Sequence, residues 1–230
     1  MSVPVTLLGG AALGMAAGSL LVPLTRRELT AAVARSSPGD APIATADLSA
    51  PRIAWGHWVA LAVVSGLLPA YVLHRVGWSP NALPPLLLLV GLVQLAYCDL
   101  RRRLLPKTLV YALSAAVITS GVMVAVFTNE WERLLLASLG GLVSFALLFI
   151  VNLMNPRWMA FGDVRLSLVF GFGLAWVSPM ALLQAFLYAN LLAVVVGFAL
   201  IVAHRAERRS AVPFGLYMAL GAGLVLLTWS

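Results

Sequence analysis

Apolar runs long enough to cross a bilayer recur along nearly the whole chain, and that recurrence constrains the fold more than any single motif. A helix needs about 20 mostly apolar residues to span the hydrocarbon core. Eight runs of this kind are read at roughly 3–24, 55–73, 82–98, 106–127, 132–153, 163–177, 180–203 and 211–229. Pro69 interrupts the second, and the third and sixth are short. Only 10% of the 230 residues are charged, against about 25% in soluble domains, so a soluble fold is excluded. The expected fold class is an all-α polytopic membrane protein of about eight transmembrane helices, forming one membrane-embedded domain over residues 1–230. No basic residue precedes the first run, while Arg26 and Arg27 follow it, so it reads as a retained span and not as a cleaved leader. The polar stretch at about 25–54, rich in Ala, Pro, Ser and Asp, is expected to be a mobile loop.

The basic residues set the orientation. With the first loop in the cytoplasm, 13 of the 15 Lys and Arg residues fall inside, and only Arg75 and Arg133 fall outside. That asymmetry predicts both termini outside. It also accounts for the net charge of +7 as a basic rim at the lipid headgroups, so no nucleic-acid partner is implied. Cys98 is the single cysteine, which excludes an internal disulfide and any multi-cysteine zinc site. His57, His74 and His204 lie on separate segments. Neither a metal nor another cofactor is therefore expected.

Two acids stand apart. Of the eight, only Asp99 and Asp163 join directly to apolar runs at a span end, and both emerge on the cytoplasmic side. An acid at a membrane span is costly, so it points to function by default. Ion pairs with nearby arginines are the structural alternative. Asp99 lies in "LAYCDLRRRLLPKTL", where Pro106 marks the break before the next helix. Asp163 lies in "AFGDVRLSLVFGFGLAW", where Gly162 frees the backbone to present the carboxylate in the first turn of a helix. Two acids on different helices are then able to converge at one level. Trp55, Trp58, Trp78, Trp131, Trp158, Trp176 and Trp229 fall near span ends and read as interfacial anchors. Cys98 reads as a small packing residue.

These segments resemble the type IV prepilin peptidases, a family of GxGD aspartic membrane proteases. "CDLRRRLLPKTL", with Asp99, Arg103, Pro106 and Lys107, is similar to the first aspartate motif. "AFGDVRLSL", with Gly162, Asp163 and Arg165, is similar to the GxGD signature. "VPFGLYMALGAGLVLL", with Pro213, Phe214 and Gly215, is similar to the opening of the family's last span, and "GMAAGSLLVPLTRR" to the end of its first. The resemblance implies an aspartic endopeptidase of a bacterial-type plasma (inner) membrane. Its substrates are pilin-like or pseudopilin precursors, cut at the cytoplasmic face between a short basic leader and an apolar helix. Asp99 and Asp163 are the implied catalytic pair, sharing one proton to activate water and polarise the carbonyl. Ala160 stands where the signature has its first glycine, and Arg165 where it has lysine. The first cytoplasmic loop has no cysteine, so the zinc-bearing CxxC pairs and the N-methyltransferase activity of bifunctional members are not expected.

Two other readings compete. One is an intramembrane protease of the presenilin or signal peptide peptidase type, which pairs GxGD with an aspartate after a tyrosine (here Tyr97). The other is a transporter or channel that uses Asp99 and Asp163 as ion ligands, which would want polar residues deeper in the spans than the few present, such as Gln94, Asn152, Gln184 and Asn190. In the peptidase reading, the basic rim leaves Glu28, Asp40, Asp47 or Glu207 to receive a basic leader. A double Asp40→Ala, Asp47→Ala variant should then cleave a basic-leader precursor more slowly than wild type, and unchanged turnover would remove this role.

Overall fold

A computed structural model describes residues 55–77, 79–102, 107–155, 160–202 and 214–228. Over these residues the chain is helical, with no strand. The helices are α1 (Trp55–Val76), α2 (Leu83–Arg102), α3 (Lys107–Thr128), α4 (Trp131–Met154), α5 (Phe161–Val177), α6 (Pro179–Val202) and α7 (Phe214–Thr228), and a 3-10 turn at Pro80–Ala82 leads into α2. The spans at 3–24 and the loop at 25–54 lie outside the described residues. Four segments are long and apolar enough to cross a membrane: Pro80–Leu100, Lys107–Thr128, Trp131–Met154 and Pro179–Ala199.

Short connections between long apolar runs produce antiparallel neighbours. Only Asn129 and Glu130 separate α3 from α4, and Asn129 takes the positive φ of 58° that the reversal requires. α1 ends at Gly77, at φ 83°, whose N–H bonds the Leu73 carbonyl at 2.9 Å, a helix-terminating turn open to glycine. Pro69 lies inside α1 and is buried without ending the helix. A proline inside a helix is tolerated where neighbouring helices enclose it.

α5 is the axis of the bundle. It packs against α2, α3, α4, α6 and α7, and its residues from Val169 to Trp176 are all buried. A helix that is apolar on every side belongs inside. The closest approach is between α4 and α5, where Gly140, Gly141 and Gly171 let the backbones meet: a Cβ on Gly141 would lie 2.8 Å from the Leu168 carbonyl oxygen. Trp176 departs from the expected interfacial anchor. It is 1% exposed, and its indole N–H donates to the Asn81 carbonyl at 3.1 Å. Its span end is enclosed by neighbouring helices, so the ring meets protein there and not headgroups. The same end carries a polar tie: the Asn81 amide donates to Glu130 at 2.7 Å, and Glu130 pairs with Arg133 at 2.6 Å. By contrast α4 shows Leu135, Leu139, Leu142, Leu147 and Ile150 at the surface, a face suited to lipid.

Two glycines should therefore respond oppositely to one methyl group. Gly171→Ala drives a Cβ into Ser144 and the Gly140 carbonyl and should cost about 1–3 kcal/mol. Gly197→Ala, in α6 with nothing within 4 Å, should be neutral or slightly stabilising. Thermal unfolding of the detergent-solubilised variants checks both.

Candidate active site

At the end of the bundle opposite the Asn81–Glu130 tie, α2, α5 and α7 bring two carboxylates together. Asp99 lies one turn before the end of α2, which runs on to Arg102, and it is 5% exposed. Asp163 lies in the first turn of α5 and is 6% exposed. Both carboxylates are therefore buried at the same end of the bundle, on separate helices. Asp99 lies about 24 Å along α2 from Leu83, which adjoins the Asn81 tie, so the pair sits at one end of the bundle and not at its middle.

Local structure explains each placement. The Asp163 N–H bonds the Ala160 carbonyl at 3.0 Å, closing the turn that starts α5, and Ala160 is an N-cap without a side-chain cap. Gly162 is half-buried beside it. Asp99 is held from the other side by α7, where the Leu216 N–H donates to its Oδ2 at 3.2 Å. Such a donor is available because the first N–H groups of a helix have no partner within it. Gly215 is buried next to this contact and Phe214 packs on the core.

The remaining residues singled out from the sequence divide into two groups. Lys107 opens α3 and is exposed. Arg165 does not rely on Asp163: its guanidinium lies 4.6 Å from the centroid of the Phe161 ring and 5.7 Å from that of Tyr111 on α3. Arg103, Pro106 and Pro213 lie outside the described residues, as do the acids Glu28, Asp40, Asp47 and Glu207. Cys98 is fully buried. Among the described residues, no three His, Cys, Asp or Glu side chains gather as metal ligands. Two contacts escaped sequence reasoning. The Leu216–Asp99 bond joins residues 117 apart and uses a backbone donor that leaves no mark in the side-chain pattern. Tyr111 is an unremarkable apolar-face tyrosine until α3 is laid beside α5. An apolar groove of about 460 Å³ runs between α1, α2 and α7, with Tyr97, Leu100 and Leu216 at the end beside Asp99.

The type IV leader peptidase family matches residues 86–202, a segment that contains both acids. The prepilin leader peptidase/N-methyltransferase of Stutzerimonas stutzeri is 30% identical over 168 residues, covering 71% of this chain and 55% of that protein. The protein of the same name from Pseudomonas aeruginosa is 27% identical over 168 residues, covering 73% and 56%. That from Aeromonas hydrophila is 30% identical over 154 residues, covering 66% and 51%. The chain thus spans about half the length of the curated relatives it matches. No solved structure matches it.

A buried thiol next to the pair should be inert. Maleimide should label Cys98 only slowly in the folded protein and quickly once it is unfolded. Labelling of the folded protein at the unfolded rate would show an accessible, reactive thiol.

Proposed function

Because the chain belongs to the type IV leader peptidase family, we propose that it is a membrane aspartic endopeptidase that removes short basic leaders from prepilin-like precursors at the cytoplasmic face of the plasma membrane. The observation that carries this reading is the pair of buried carboxylates, donated by separate helices at one end of the bundle, inside the family-matched segment. In this reading residues 1–230 act as a single peptidase unit with both termini outside. The basic rim, Arg103 and Lys107 included, faces lipid headgroups.

The chemistry follows from the pair. With one proton between them, the ionised carboxylate removes a proton from water as the oxygen attacks the scissile carbonyl. The protonated partner donates to the carbonyl oxygen, giving a tetrahedral diol. On collapse the C–N bond breaks, the leaving amine takes a proton, and the pair returns to its singly protonated state. Neither a metal nor another cofactor is required by this sequence of steps. The Leu216 contact and the buried Gly215 support Asp99 from α7, giving the Pro213–Phe214–Gly215 stretch a positioning role. A transporter reading is less well supported: Gln94, the fully buried amide deeper in α2, bonds Ser65 at 3.2 Å, and Asn190 bonds its own helix. Leader removal is the activity assigned here. N-methylation is not, because the first loop carries no cysteine.

The test is co-expression with a precursor bearing a basic leader ahead of an apolar helix, read as a mobility shift on a gel. Asp99→Asn and Asp163→Asn should each lower cleavage on the order of 10²–10⁴-fold while leaving expression and thermal stability near wild type. Full processing by either variant would overturn the assignment.

A further inference from the structure

The turn that carries Asp163 is weakly built. Its N-cap, Ala160, makes no side-chain cap, and Gly162 follows within the turn, where glycine disfavours helix. On its outward side Phe161 is 43% exposed, and Gly162 and Arg165 are only half-buried, so apolar packing does little to hold it there. What does lie there is a clasp. The Arg165 guanidinium sits over the Phe161 ring, one turn earlier on α5, and over the Tyr111 ring of α3, within the range of cation–π attraction in both cases. Residues two apart on a helix point about 200° apart. Arg165 therefore grips α3 from the side of α5 opposite the one from which Asp163 faces the core.

We propose that the Phe161–Arg165–Tyr111 clasp is the positioning device that fixes the rotation of the first turn of α5 and so aims Asp163 at Asp99. This rests on the peptidase reading above. The clasp acts through Asp163 and touches no reacting atom, so Arg165 and Tyr111 are positioning residues. A lysine ammonium also binds a ring face, so the clasp accounts for a cation at position 165 without requiring it to exchange a proton.

Kinetics on a purified precursor test this. A misplacement of about 1 Å at a reacting group costs up to 10²-fold, so Arg165→Met and Tyr111→Ala should each lower kcat about tenfold with KM little changed. The double variant should be no worse than the poorer single one, since both break one contact. Arg165→Lys and Tyr111→Phe, which keep a cation and a ring, should recover most of the rate. Tyr111 is 55% exposed, so its loss is compatible with folding, and thermal unfolding identifies any variant that fails to fold. A kcat unchanged in Tyr111→Ala, or losses that multiply in the double variant, overturns the clasp. If Asp99→Asn and Asp163→Asn retain cleavage in the same assay, the peptidase reading fails and the clasp with it. If they are inactive while the clasp variants are silent, only the clasp fails.

Discussion

A carboxylate taken out of water costs several kcal/mol unless a partner or a proton offsets it, and this bundle buries two of them at one end. The rest of the architecture is arranged around that cost. Asp99 reaches an unpaired backbone N–H at the start of α7, and Asp163 sits at the positive end of α5's own dipole. Both acids lie near a helix end and away from the middle of the bundle. Moving the pair a turn or two deeper would remove both sources of compensation.

Close packing makes this placement hold. From Val169 to Trp176 α5 is buried, and its glycines let α4 approach to backbone distance and admit an α2 side chain: Gly171 meets Ser144 and the Gly140 carbonyl, and Gly173 meets the Leu88 side chain. Van der Waals contact, not exclusion from water, drives helix association in lipid, so these glycines matter more than their size suggests. The opposite end of the bundle is tied by polar bonds among Asn81, Glu130, Arg133 and Trp176. α5 is thereby held at both ends by different physics.

Much of this was legible in the sequence, because hydropathy reports directly on which stretches are helices in a membrane protein. The seven described helices begin and end within four residues of the runs read from composition. The two acids stood out because each adjoins an apolar run. What the sequence did not carry was which helix is enclosed. Trp176 looks like any aromatic near a span end until its neighbours are known, and Pro69 looks like a break although the helix continues through it. Contacts between distant segments were likewise hidden. Nothing near Asp99 announces Leu216, and nothing near Arg165 announces Tyr111.

The enclosed position of α5 bears on how the protein is made. A segment of 17 residues, buried from Val169 to Trp176 and carrying an acid and an arginine in its first two turns, gains little from lipid alone. It is poorly suited to leave the insertion machinery as a free span. Its neighbour α4, joined to it by a short connection, is long and strongly apolar and supplies the hydropathy that α5 lacks near its start. The contact that α7 makes to Asp99 comes from the last described helix, so a chain lacking that helix would hold both acids without the Leu216 N–H.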